Sequence, residues 1–105
     1  MRIAVPATAA HPDAPIDARF GRAPYILVYD TEADNWAAVD NTSNVSAAHG
    51  AGIATSEAVI RSGATVLITA QCGPKAHALL SQNGVQIIEG EEGTAAEAVR
   101  RLHSR

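Results

Sequence analysis

The chain has one cysteine, Cys72, one lysine, Lys75, and only 4% aromatic residues among its 105 positions. A single cysteine closes no internal disulfide, so a disulfide scaffold is excluded, and so is a zinc site built from cysteine pairs. A lone thiol suits a reducing compartment, and the expected location is the cytoplasm. The formal net charge is -3 and the pI is about 5.7. That balance argues against a surface built to neutralise phosphates, so no nucleic-acid partner is expected. No apolar run approaches the roughly 20 residues of a membrane span, so no membrane partner is expected either. The first ten residues enter a strand pattern directly and lack the apolar h-region of a signal peptide. What is present is 47% hydrophobic residues, mostly aliphatic, in a mass of 10.9 kDa. The expectation is one domain over residues 1–105, whose core is filled by Val, Ile and Leu. A chain of this size buries roughly 60–70% of its extended-chain surface and folds without staples.

The hydrophobic pattern divides the chain into eight elements. Residues 2–7 form a short buried strand with a stop at Pro6, and residues 8–24 are a long loop marked by Pro12, Pro15, Gly21 and Pro24. Residues 25–30 and 35–40 are two strands joined by Thr31–Asp34 as a hairpin. After a polar loop, apolar spacing predicts a helix from Gly50 to Arg61, ended by Gly63. A strand at 65–69 follows, then a helix opened by Gly73-Pro74 and stopped by Gly84. A strand at 85–88 leads to a last helix, in which Thr94 and Glu97 have the spacing of a capping box. The order βββαβαβα implies parallel neighbours with right-handed crossovers in its second half and one antiparallel strand in its first. The predicted architecture is a three-layer α/β/α fold on a five-stranded mixed sheet, order 3-2-1-4-5, with strand 2 antiparallel.

That topology places the connections 7–24, 41–50, 70–74 and 89–93 at one edge, beyond the carboxyl ends of the parallel strands. Open α/β sheets bind ligands there. Helix N-termini near Gly50, Gly73 and Gly93 are predicted to converge on this edge and to favour an anion.

Three local constellations carry chemistry, each with a plainer alternative. In Arg19-Phe20-Gly21-Arg22 the two arginines can hold an anion by charge-assisted hydrogen bonds. The alternative is that Phe20 anchors the loop and both arginines are solvated. In His49-Gly50-Ala51-Gly52 the glycines allow close backbone approach, and His49 is a candidate metal ligand. The alternative is an ordinary first helical turn. It is not a dinucleotide fingerprint, because Thr55 stands where the third glycine would be. In Cys72-Gly73-Pro74-Lys75 the thiol precedes a helix N-terminus, where a thiolate is stabilised and can bind a soft metal. The alternative is an inert, partly buried cysteine. A C-x₅-R phosphate loop is absent, since Ala78 holds the arginine position, and His77 lies too far along the helix to act as the thiol's base. His11 lies in the long loop, within possible reach of the edge, whereas His77 and His103 are expected on solvated helix faces. Strand 1 carries no carboxylate, so a metal-dependent nuclease on this sheet order is disfavoured.

Taken in order, MRIAVP, Ile16-Asp17-Ala18-Arg19-Phe20-Gly21-Arg22-Ala23, Gly50-Ala51-Gly52, Gly73-Pro74-Lys75-Ala76, Gly84-Val85 and Gly93-Thr94 resemble the dinitrogenase iron–molybdenum cofactor biosynthesis family of NifX/NafY-like domains. The likeness is greatest to the orange protein branch, whose domain binds a molybdenum–copper sulfide cluster without covalent attachment. The resemblance implies a ribonuclease H-like fold. It also implies binding, storage or delivery of a metal–sulfur cluster, of molybdenum–copper or iron–molybdenum type, without catalysis. Joined to the local constellations above, this implied function points to Arg19, Phe20, Gly21, Arg22, Gly50, Gly52, Gly73, Pro74 and Lys75 for cluster binding, with His49 and Cys72 as candidate metal ligands; a ligand role for Cys72 is read from this sequence and is not implied by the family. Many family members have histidine at the position of Arg19 and lack a cysteine at that of Cys72. The competing expectation is a metal-free module that docks a partner ATPase or cluster-assembly factor.

Overall fold

A computed structural model describes residues 1–45 and 50–103. The strands are β1 (Arg2–Ala7), β2 (Tyr25–Asp30), β3 (Asn35–Asp40), β4 (Val66–Ile68) and β5 (Gln86–Ile88). The helices are α1 (Thr42–Val45), α2 (Ala51–Arg61), α3 (Pro74–Gln82) and α4 (Ala95–His103). The sheet order is β3-β2-β1-β4-β5, as the sequence predicts. β1 pairs antiparallel with β2 and parallel with β4, and β4 pairs parallel with β5.

β1 is central because its side chains are apolar on both faces. Ile3, Val5 and Ala7 join Leu27, Val66 and Ile68 under α4, through Ala95, Ala98 and Val99. Ala4 joins Ile26, Val28 and Leu67 on the other face, under Val59 of α2 and Ala76 and Leu80 of α3. The sheet therefore carries one helix on one side and two on the other.

β1 does not stop at Pro6. The Thr31 N–H donates to the Met1 carbonyl at 2.9 Å, and the Thr65 N–H donates to the Arg2 carbonyl at 3.0 Å. Antiparallel alternation then directs the backbone of Ile3, Val5 and Ala7 toward β2 and that of Arg2, Ala4 and Pro6 toward β4. The missing N–H of Pro6 would face the Leu67 carbonyl, so the pairing of β1 with β4, at Ile3–Val66 and Ala4–Leu67, ends there, while β1 stays paired with β2 as far as Ala7–Tyr25. The Pro6 carbonyl instead accepts the Asp17 N–H at 3.0 Å, tying the long loop to the strand end.

The hairpin turn is held by Asp30, whose Oδ1 accepts the N–H groups of Glu32 (2.9 Å) and Ala33 (3.2 Å). The turn closes at Asp34, in the left-handed region at φ 53°. The capping box of α4 forms as the sequence predicts. Thr94 Oγ1 accepts the Glu97 N–H at 3.1 Å and Glu97 Oε1 accepts the Thr94 N–H at 2.9 Å.

Three further features depart from the sequence reading. The long loop contains a 3-10 turn at Phe20–Arg22, and the polar segment after β3 opens with the short helix α1. β4 and β5 are also shorter than the predicted strands, with Thr65, Thr69 and Val85 outside them. Among the described residues, no helix is long and apolar enough to cross a membrane.

Hydrogen bonds from backbone or hydroxyl donors hold the carboxyls of Asp30, Asp40 and Glu97 below their ordinary values. A carboxyl with a lowered folded pKa stabilises the fold above its unfolded value, and that stability is lost as pH falls through the folded value. Thermal unfolding measured from neutral pH downward should show a constant midpoint until about pH 4 and then a progressive fall. Glu97→Ala should flatten part of that fall.

Candidate functional site

The carboxyl edge is assembled around the start of α2. Gly50 precedes the helix in the left-handed conformation (φ 76°, ψ 16°), and no described side chain caps it. The 3-10 turn sits against this helix start. A Cβ on Gly21 would lie 3.0 Å from the Gly52 nitrogen and 3.1 Å from its Cα, so no larger residue fits between the two backbones. Phe20 is only 2% exposed and packs in the core on the α2 side. Its ring anchors the turn and presents no face to a ligand, which is the plainer of the two sequence readings.

Asn41, which sequence reasoning missed, locks these pieces together. It is fully buried, and its Nδ2 donates to the Ala23 carbonyl (2.9 Å) and to Thr55 Oγ1 on α2 (3.0 Å). Its Oδ1 accepts Asn44 Nδ2 at 2.6 Å. The segment Asp40-Asn41-Thr42 looks like any polar loop, so no local signal marks this residue.

Across from α2 stands the start of α3. Gly73 (φ 78°, ψ 161°) precedes it, Pro74 occupies its first turn, and no described side chain caps it. Between the two helix starts lies an open cleft of about 360 Å³, with Gly50, Gly52 and Ile53 on one wall and Cys72 to Ala76 on the other. A Cβ on Gly50, Gly52 or Gly73 would meet nothing within 4 Å. The structure thus brings Gly50, Gly52, Cys72, Gly73, Pro74 and Lys75 together. His49 lies outside the described residues.

The arginines flank this cleft without lining it. The Arg22 guanidinium donates to the Val45 carbonyl at the end of α1. Arg19 is 72% exposed, and its Nε lies 3.6 Å from the buried carboxylate of Asp17. Asp17 Oδ1 also accepts the Arg19 N–H at 2.9 Å.

The third predicted helix start is withdrawn. The N–H groups of Ala95 and Ala96 donate to the carbonyls of Ala14 (3.1 Å) and Pro12 (2.9 Å), and the capping box takes the Thr94 N–H. The front of the long loop therefore consumes the donors of α4. Two helix starts, not three, offer a positive end to a ligand. His11 goes with this α4 side, since its carbonyl accepts the Ala14 N–H at 3.0 Å. His77 is exposed beside Ser81, and His103 stacks on Tyr29 at 6.1 Å.

The surroundings of Cys72 oppose the thiolate expected from a helix start. Partial burial pushes the thiol pKa up, and the negative charge of Glu89 pushes it further. Glu89 Oε2 accepts the Cys72 N–H at 3.3 Å, a neighbour reached only through the β4–β5 pairing. Below this loop Thr69 is fully buried, and its Oγ1 has no hydrogen-bond partner among the described residues. No group of three His, Cys, Asp or Glu side chains that could hold a metal ion occurs among the described residues. Direct metal ligation from the described cleft walls rests on Cys72; the remaining attraction comes from backbone N–H groups and Lys75.

An open α/β sheet with two helix starts, neither capped by a described side chain, facing each other across a cleft at its carboxyl edge defines the class of this small domain. The chain belongs to the family described as dinitrogenase iron-molybdenum cofactor, which residues 1–105 match. It is similar to the apo orange protein from Desulfovibrio gigas, at 38% identity and a TM-score of 0.94, over 98% of this chain and 87% of that one. It is also similar to a candidate NifB protein from Thermotoga, at 32% identity and a TM-score of 0.84, over 98% of this chain and 87% of that one. No curated protein sequence matches the chain.

Two measurements check this geometry. Gly21→Ala should separate the turn from α2 and lower stability by about 1–3 kcal/mol, read by denaturant unfolding. Glu89→Gln should move the inflection of the pH profile for Cys72 alkylation downward, because it removes one of the two influences holding the thiol neutral. An unmoved inflection would assign the whole effect to burial.

Proposed function

We propose that the cleft between α2 and α3 binds, stores or delivers an anionic metal–sulfur cluster, of molybdenum–copper or iron–molybdenum type. The observation that carries this reading is the pair of uncapped helix starts across one open cleft. Each contributes a positive dipole end worth about 0.3–1 kcal/mol toward an anion, and more where water is excluded. Glycines at 50, 52 and 73 leave room for a ligand to reach backbone N–H groups directly. Lys75 adds charge on the α3 wall, while Arg19 and Arg22 raise the potential beside it. Family membership and the likeness to the orange protein support the same reading.

In this reading the protein is a carrier with no catalytic residue. Holding is mainly electrostatic, and Cys72 or His49 supplies at most a direct bond to a soft metal. A thiol kept neutral in the free protein gives up its proton only when such a metal takes its place.

Protein mixed with tetrathiomolybdate and copper should develop a visible charge-transfer band and gain protection on heating. Arg19→Ala combined with Arg22→Ala should weaken the band more than Cys72→Ala does; the reverse ranking would mean thiolate ligation. Gly52→Leu adds a side chain where the fold has open space. It should leave the melting temperature unchanged or higher and block loading. Absence of both band and protection in the wild type would sink the proposal and favour a metal-free module working with a partner ATPase or assembly factor.

A further inference from the structure

Five polar side chains are buried among the described residues: Asp17, Asn41, Thr55, Ser56 and Thr69. Four of them are occupied. Asp17 accepts the Arg19 N–H, Asn41 donates to Thr55, and Ser56 Oγ donates to the Gly52 carbonyl at 2.8 Å. Thr69 Oγ1 alone has no partner among the described residues. A hydroxyl taken from water and left unpaired costs the fold its full desolvation penalty, so an isolated case calls for a physical reason.

The strand ladder gives the direction of this side chain. The Thr69 N–H donates to the Ile88 carbonyl at 2.9 Å, and the Thr65 carbonyl accepts the Gln86 N–H at 2.9 Å. Residues 65 and 69 thus both turn their backbone toward β5, and the alternation of β4 runs on through Thr69. Val66 and Ile68 pack on the α4 side and Leu67 on the side of α2 and α3, so Thr69 shares the side of Leu67. Leu67 lies in one core cluster with Val59 of α2 and Ala76 of α3. Thr69 stands two residues, roughly 6–7 Å, nearer the carboxyl edge. Ala76 belongs both to that core and to the wall of the cleft. The orphaned hydroxyl therefore points to the inner end of the cleft, on the side of the sheet that carries the two open helix starts.

We propose that Thr69 is the floor donor of this cleft: on loading, its hydroxyl donates to a terminal sulfido or oxo atom at the inner end of the bound anion. The proposal rests on the cluster-carrier reading above and adds a residue that selects the ligand. The class selected is a metal centre bearing at least one terminal anionic atom. Such an atom accepts the hydroxyl proton and faces both helix starts. A bare metal cation offers no acceptor and gains nothing from this contact. The hydroxyl is sealed in the free protein, so the inner end of the cleft opens as the ligand enters. The wall beside it, at Gly73-Pro74, is a helix start that no described side chain caps.

The test titrates tetrathiomolybdate and copper into metal-free wild type, Thr69→Val and Thr69→Ser, following the visible band, and records thermal unfolding of each free protein. Valine keeps the shape and removes the donor; serine keeps the donor. Free Thr69→Val should melt at the wild-type temperature or higher, because no hydrogen bond is lost. Its affinity should fall at least about tenfold, the loss of one hydrogen bond to a charged acceptor. Thr69→Ser should load close to wild type, a rescue that a packing role would not give. Wild-type affinity in Thr69→Val would overturn the proposal and leave the carrier reading standing. A lowered melting temperature in free Thr69→Val would mean that the hydroxyl already has a partner, an internal water included, and would overturn it as well. Absence of loading in the wild type would remove the carrier reading and this proposal with it.

Discussion

The contact between Gly21 and Gly52 leaves no room for a side chain between two backbones, and the layout of the carboxyl edge follows from it. The long loop after β1 could otherwise hang free in solvent. Phe20 anchors it in the core, and Gly21 lets it press against the first turn of α2. Asn41 then binds the end of that loop, at Ala23, to Thr55 one turn further along the helix. A fully buried amide with its hydrogen bonds made specifies one arrangement, because any alternative leaves a desolvated polar group unpaired. The position of the arginine-bearing turn is thus set by the close approach of two glycines together with Phe20 and Asn41.

The same edge shows how a fold assigns its helix dipoles. All three long helices begin there, but they are not equivalent. α4 has its donors consumed by the Pro12 and Ala14 carbonyls and by its own capping box, so its start is closed and stable. α2 and α3 start at glycines with positive φ and have no described side-chain cap. A glycine in place of a capping side chain forgoes only about a few tenths of a kcal/mol of stability. A fold that caps one helix fully and leaves two neighbours open across a cleft has concentrated its unsatisfied donors where a ligand can reach them.

Much of this was legible in the sequence, for reasons that are local. The hairpin, the Gly73-Pro74 helix start and the Thr94–Glu97 capping box are encoded within a few residues, and the strand order follows from handedness and element order. The features that were not legible depend on contacts distant in the chain. Glu89 approaches Cys72 only because β4 and β5 pair, and it reverses the thiolate expectation that Cys72 and its helix carry locally. Pro12 and Ala14 close α4 from more than eighty residues earlier in the chain. Pro6 reads as a strand terminator, but it ends only the pairing with β4 and leaves β1 paired with β2 as far as Ala7–Tyr25. Of the residues proposed for the site, Gly50, Gly52, Gly73, Cys72, Pro74 and Lys75 converge, because each sits at a helix start that topology sends to one edge. Phe20 does not, because an aromatic in a chain so poor in aromatics is worth more to the core than to the surface.

The scarcity of cationic and soft-ligand side chains constrains the chemistry of the cleft. With its pKa pushed up by burial and by Glu89, the Cys72 thiol offers no thiolate to a bare metal cation, and the anionic group beside it is the Glu89 carboxylate. A cation approaching alone meets two positive helix ends and Lys75. A cluster whose sulfide shell already carries the negative charge meets the opposite situation, since helix ends and lysine attract it and the thiol need not ionise first. Glu89 sharpens this distinction, because its carboxylate stands on the Cys72 side of the cleft and disfavours anionic density there while tolerating a cationic metal centre. Under the proposed cluster-carrier function, the cleft discriminates by the distribution of charge within the ligand, through backbone groups that the glycines leave accessible.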